Sequence, residues 1–253
     1  MTTVDRLAHT NAWSRRHPVD KMVLAGGLLV LSLVLPPVPG AVFVLAGALG
    51  AALFGARIPA ASYARLMAVP AAFILSSGLV LALSLRIDPG GPVLALSPGG
   101  VTAAIAVSLR ATAALASLLL LMTTTPIGDL LGLLRVARVP PPLVDVVLLV
   151  YRFIMLVIGA AGAIRTAQAG RLGYSSVRRS IRSTGLLAAA LLPRSLAHGR
   201  RLEIGLAARA SDGNLRVLSS VPPPSPVFVA TALGAQAAVA GISILLWHRI
   251  LLP

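Results

Sequence analysis

Arg209 lies in the stretch LAARASDGNLR, residues 206–216, with Ala207, Ala208 and Ala210 beside it and Asp212 and Gly213 following as a turn and stop signal. On so slender a helix end a guanidinium offers a planar fork that grips a carboxylate or backbone carbonyls with two parallel hydrogen bonds, and the small neighbours let another backbone approach. The stretch AQAGRLGY, residues 167–174, repeats the arrangement, with Arg171 between Gly170 and Gly173 at an apparent helix junction. The chemistry these residues offer is recognition, and two such tips point to two docking points. For most other arginines the plainer reading is contact with anionic lipid headgroups, worth about 1 kcal/mol per cation.

The element that must present Arg209 is a helix. With 3.6 residues per turn, Arg194, His198, Arg201, Gly205 and Arg209 fall within a stripe of roughly 80°, while Leu192, Leu196, Ala207 and Ala210 gather opposite. Glu203 interrupts the apolar side.

Other chemistries are excluded by what the chain lacks. It has no Cys, and none of its four His residues (His9, His17, His198, His248) shares metal-ligand spacing with another. The stretches LAGGLL and DPGGP have neither the Lys nor the spacing of a phosphate loop. The four acids between residues 123 and 220 are too scattered to hold Mg²⁺ as a membrane transferase would. The expectation is a non-catalytic chain without cofactor or metal site. TTTP, residues 123–126, reads as a helix start with Thr at the N-cap and Pro126 at the first helical position. Arg110, midway along an apolar run, is costly at that depth. It is read either as an intramembrane contact to a partner or as a cap on a neighbouring helix carbonyl.

Composition sets the solvent. Hydrophobic residues make up 57% of the 253, charged residues only 11%, and the formal net charge is +15. Long apolar runs separate the basic clusters and almost no aromatic residue lies beside them, so the charge does not mark a nucleic-acid binder. The fold class is an all-α integral membrane protein with about five transmembrane helices and a long cytoplasmic or interfacial helical coupling region. A span needs about 20 apolar residues. Four are expected in an N-terminal membrane part, residues 1–122, at approximately 22–37, 38–56, 66–85 and 101–122, and a last one lies within 226–253. The first pair is joined by the Pro/Gly turn PPVPG, residues 36–40. Between the membrane parts, residues 123–220 carry thirteen Arg. Segment 143–160 is either a sixth span or an interfacial helix; Asp145 and Arg152 favour the interface. Arginine and lysine alternate with uncharged loops so as to place the N-terminus and residues 123–220 in the cytoplasm.

The stretches DRLAHTNAWSRRHPVDKM, TTTPIGDLLGLLRVARVPPPLVDVVLLVYRF, AQAGRLGYSSVRRSIRSTGLL and RSLAHGRRLEIGLAARASDGNLR, in that order, resemble the transmembrane T subunit of energy-coupling-factor transporters, in particular the CbiQ-type cobalt branch. The resemblance implies a multi-pass subunit of the cell inner membrane. Its partners would be two ABC ATPases of CbiO/EcfA type and a membrane-embedded S subunit of CbiM type with a small CbiN-like accessory. In that family, two cytoplasmic coupling helices end in Ala-Arg-Gly-like motifs whose Arg residues dock into the ATPases. The resemblance carries this role to Ala208, Arg209 and Ala210, and to Gly170, Arg171 and Gly173. Here Ala210 stands where Gly is expected and Ser211 where an aromatic residue is usual.

ATP-driven motion would then pass through this chain to the S subunit, with cobalt(II) the expected substrate and nickel or a vitamin the alternatives. A stand-alone secondary transporter is the competing class. It would show internal repeats or interrupted spans, and none is evident.

Overall fold

A computed structural model describes residues 3–88, 91–136, 138–208 and 223–251. The chain divides into two compact units, residues 1–130 with 220–253, and residues 131–219.

In the first unit α1 (Thr3–Thr10) leads to α2 (Pro18–Val34), and α3 (Pro37–Gly50) runs on through a π-helical turn, Ala51–Gly55. Then come α4 (Ala60–Ala82), an antiparallel hairpin of β1 (Leu83–Asp88) and β2 (Gly91–Leu96), α5 (Pro98–Thr124), and, after the second unit, α9 (Pro226–Leu251). The short helix α6 (Ile127–Val136) leads into the second unit, which holds α7 (Pro141–Gly170) and α8 (Val177–Ala208).

The protein is an all-α integral membrane protein with one small hairpin. Among the described residues five helical stretches have the length and apolar composition to cross a bilayer: Pro37–Gly55, Ala60–Ala82, Pro98–Thr124, Pro142–Gly170 and Pro226–Arg249. At 17 residues, α2 measures about 25 Å at 1.5 Å per residue, short of the roughly 30 Å hydrocarbon layer. The long continuous α7 includes segment 143–160, and its apolar run outweighs the charges of Asp145 and Arg152 in composition.

Helices in lipid gain little from hydrophobic burial, so close packing and hydrogen bonds must hold them together. The core of the first unit answers to this. Val44, Ala48 and Ala52 of the α3 rod and Ala113 and Ala116 of α5 are wholly buried, and Leu28 of α2 joins them. Small side chains bring the backbones close, and polar side chains cross-link them. Gln236 of α9 donates through Nε2 to the carbonyls of Val23 and Leu24, at 2.9 and 3.1 Å. Gly27 makes room for it, since a Cβ there would collide with the Gln236 amide. The Tyr63 hydroxyl of α4 donates to the Ala116 carbonyl of α5 at 2.8 Å.

The same unit has a polar end built from the N-terminal segment. Asn11 donates through Nδ2 to the Thr123 carbonyl at 3.1 Å, and Lys21, only 1% exposed, donates through Nζ to the Thr124 carbonyl at 2.9 Å. Both carboxylate oxygens of buried Asp20 accept from the Ser225 backbone amide at 3.2 Å. The Trp13 ring meets Phe228 edge-on, and the Arg16 guanidinium stacks over the same Phe228 ring at 4.6 Å.

One local expectation changes in part. A new helix does open at TTTP, with α6 starting at Ile127 just past Pro126, but Thr123 and Thr124 end α5, their hydroxyls turned back onto the carbonyls of Leu119 and Leu120 at 2.6 and 2.7 Å. Thr125 follows as the C-cap residue, its buried hydroxyl without a hydrogen-bond partner among the described residues. The segment between α4 and α5 is largely the β1–β2 hairpin, in register from Leu83 opposite Leu96 to Asp88 opposite Gly91.

Candidate docking site at the turn between α7 and α8

Of the residues singled out in the sequence, Gly170, Arg171 and Gly173 fall together in the second unit, where α7 stops and the chain turns toward α8. Gly170 is the last helical residue and Arg171 the C-cap, with φ −99° and ψ 20°. The Leu172 amide donates to the Ala169 carbonyl at 3.0 Å and the Gly173 amide to the Gln168 carbonyl at 2.8 Å. This pair of bonds is the Schellman arrangement, which satisfies carbonyls otherwise orphaned at a helix end.

That motif requires a left-handed residue at the first position past the cap, and glycine is the usual occupant. Here the position belongs to Leu172, with φ 57°. The left-handed backbone costs an L-residue with a Cβ roughly 1–2 kcal/mol. Glycine stands one place later, at Gly173, for a different reason. A Cβ there would lie 2.8 Å from both the Gln168 carbonyl oxygen and Ser183 Oγ.

Side chains from both helices lock the turn. Ser183 donates through Oγ to the Gly173 carbonyl at 2.9 Å, and Gln168 donates through Nε2 to the Ser183 carbonyl at 3.0 Å. The Tyr174 hydroxyl donates to Gln168 Oε1 at 2.8 Å. The Arg165 guanidinium lies 6.0 Å from the centre of the Tyr174 ring, at the outer range of a cation–π contact. Beyond the turn, Arg179 donates through Nη1 to Ser175 Oγ at 2.9 Å. Arg171 and Leu172 project outward, with Leu172 66% exposed.

The second expected tip begins where α8 ends. Ala208 is the last residue of α8 and exposed, while Arg209 and Ala210 lie outside the described residues. Along α8, Arg194, Arg201, Leu192 and Leu196 are all exposed. From residue 191 on, the half-buried residues are instead Leu191, Ser195, His198, Leu202 and Leu206, at helical spacing. His198, expected on the cationic face, sets its ring 6.0 Å from that of Phe153 on α7.

Arg110 belongs to the first unit, apart from these tips in the chain. It donates through Nη2 to the Leu35 carbonyl at 2.8 Å. Leu35 is the C-cap of α2 and is followed by Pro36 and Pro37. The guanidinium thus supplies a donor to a carbonyl at the C-terminal end of α2, one of the groups that a helix end leaves without an intrahelical partner. Its Nε is buried with no hydrogen-bond partner among the described residues. This geometry is that of the capping alternative.

Reasoning from the sequence missed Leu172, Gln168, Tyr174 and Ser183 as parts of the turn. The available signal was the order of RLGY, which puts a non-glycine at the left-handed position. No group of three or more His, Cys, Asp or Glu among the described residues is placed to hold a metal ion.

The helices and their lipid-facing apolar surfaces define a multi-pass membrane protein. Residues 10–218 match the family CbiQ, described as cobalt transport protein. A relative from Rhodobacter capsulatus, named "Cobalt transport protein CbiQ", is 42% identical over 97% of this chain and 99% of its own length. A protein of the same name from Salmonella typhimurium is 30% identical over 86% of this chain and 100% of its own. A "Putative fused cobalt transport protein CbiMQ" from Methanocorpusculum labreanum is 31% identical over 64% of this chain and 28% of its own length. The chain belongs to the CbiQ family of cobalt transport proteins, and the resemblance read from its motifs is thereby established.

Proposed function

We propose that this chain is the transmembrane coupling subunit of an energy-coupling-factor importer for cobalt(II). It passes the ATP-driven motion of two cytoplasmic ATPases of CbiO/EcfA type to a substrate-binding S subunit of CbiM type, with a small CbiN-like accessory. It carries out no chemistry itself. The complex sits in the cytoplasmic membrane with the N-terminus and the two proposed docking tips on the cytoplasmic side, as the distribution of Arg and Lys favours.

The observation that carries the reading is α8. Thirty-two residues of continuous helix, about 48 Å long at 1.5 Å per residue, separate an exposed Arg171 from the Ala208 that precedes Arg209. A rod of that length, with the exposed Arg171 in the turn before it, suits a part that must meet two motor subunits at once. The fused relative supports the S-subunit pairing, because its name joins CbiM to CbiQ in one polypeptide.

The test is purification of the tagged chain with both ATPases and the S subunit, followed by reconstitution. The expected result is a complex that takes up Co²⁺ only with ATP. A chain that binds no ATPase, or that accumulates Co²⁺ unaided, would refute the proposal.

A further inference from the structure

We infer that the tip at the α7–α8 turn is bipartite: Leu172 is an apolar anchor that enters a nonpolar socket on the docking ATPase, beside the carboxylate gripped by Arg171. This deepens the coupling proposal and rests on it.

Four observations converge on Leu172. It occupies the left-handed position of a Schellman turn, where glycine would be free of strain. Packing within the chain does not account for it, because the residue is 66% exposed. Among the described residues Arg57, Arg138 and Leu172 are the non-glycines with positive φ, and Leu172 alone of these is apolar. The turn that holds it is fastened by Ser183, Gln168 and Tyr174, so the backbone that carries the leucine is held in place. A strained backbone kept in place by surrounding bonds is characteristic of functional positions. What the strain secures here is an isobutyl group next to a guanidinium on a rigid corner.

The chemistry of the partner follows. An exposed cation alone would suit any anionic surface, including lipid headgroups, and would not call for an apolar neighbour in a fixed geometry. A leucine held beside an arginine fits a protein pocket with an apolar floor and an acidic rim. The buried apolar group supplies affinity and the planar fork supplies register.

The experiment uses the full chain in nanodiscs and the purified ATPase pair. Leu172→Gly removes the side chain and relieves the left-handed backbone, so the fold is preserved or strengthened. The expected result is an unchanged or raised melting temperature with roughly 10-fold weaker ATPase binding, the scale of losing one buried leucine. Leu172→Asn, which also accepts the left-handed region, repeats the loss, and Leu172→Met retains most of the affinity. Binding of Leu172→Gly and Leu172→Asn within about twofold of the unaltered chain, while Arg171→Glu abolishes it, overturns the anchor and leaves the coupling proposal standing. If Arg171→Glu binds normally as well, docking at this tip is refuted and the anchor falls with it.

Discussion

The Tyr174 hydroxyl and the Gln168 side-chain carbonyl are 2.8 Å apart, and the same Gln168 amide reaches 3.0 Å to the Ser183 carbonyl on the opposite helix. One side chain therefore ties the end of α7 to both the turn and the start of α8. Removing it by Gln168→Ala is expected to cost about 1–2 kcal/mol, two ordinary hydrogen bonds with some solvent relief. Tyr174→Phe should cost about half of that. Thermal unfolding in detergent, followed by loss of protection at residues 168–183 in hydrogen exchange, measures both.

Gly173 and Gly170 separate a steric requirement from a recognition requirement. Gly173→Ala places a Cβ against the Gln168 carbonyl and Ser183 Oγ and should destabilise the turn by about 1–3 kcal/mol. Gly170→Ala meets nothing within 4 Å and, at the end of a helix, should be neutral or stabilising by up to about 1 kcal/mol. A melting temperature that drops for the second substitution and not the first would contradict this assignment.

Arg171→Glu and Arg209→Glu reverse charge at the two proposed docking points. Each is expected to weaken capture of the ATPase pair by at least about 10-fold, and the double variant to abolish ATP-dependent Co²⁺ uptake. Arg178→Glu, on the exposed start of α8 outside both tips, serves as the control and should leave capture within about threefold. Equal losses for all three would indicate general attraction between a basic surface and its surroundings.

Arg110→Met keeps the length of the side chain and removes the cap on Leu35. The expected cost is about 1–2 kcal/mol, from a carbonyl left without its charged donor at the end of α2. Arg110→Lys should recover part of it. Comparative melting of the three proteins in one detergent decides the matter; no difference between Arg and Met would remove the structural role of this bond.

Hydropathy alone placed α5 and α9, since apolar runs bounded by Pro and Gly have few other solutions in a bilayer. The existence of a corner between α2 and α3 was legible for the same reason, but the corner is confined to Leu35 and Pro36 because Pro37–Gly40 form the first turn of α3. The helix junction at Arg171 was legible as well. The conformation at that junction was not. Its glycines, 170 and 173, flank the left-handed position without occupying it, and a rule that looks for glycine past a helix end selects the wrong residue. In α7, Asp145 and Arg152 weigh toward an interfacial helix and the length and composition of the stretch toward a span. At TTTP the boundary between two helices was legible, but not the role of the threonines, whose hydroxyls bond back to the preceding turn and carry α5 to Thr124 before α6 opens at Ile127. The cross-links at Asn11, Asp20 and Lys21 join residues 112, 205 and 103 positions apart, beyond the reach of any local pattern.

The bond between Asp20 and the Ser225 amide sets a clock on biosynthesis. At ~5–20 residues per second, the 205 positions between them take roughly 10–40 s to translate. During that interval α2 must wait with a carboxylate whose final donor does not yet exist. A nascent chain cut short before residue 225 keeps that acid unanswered, so completion of the polypeptide is registered by the second helix as well as by the last.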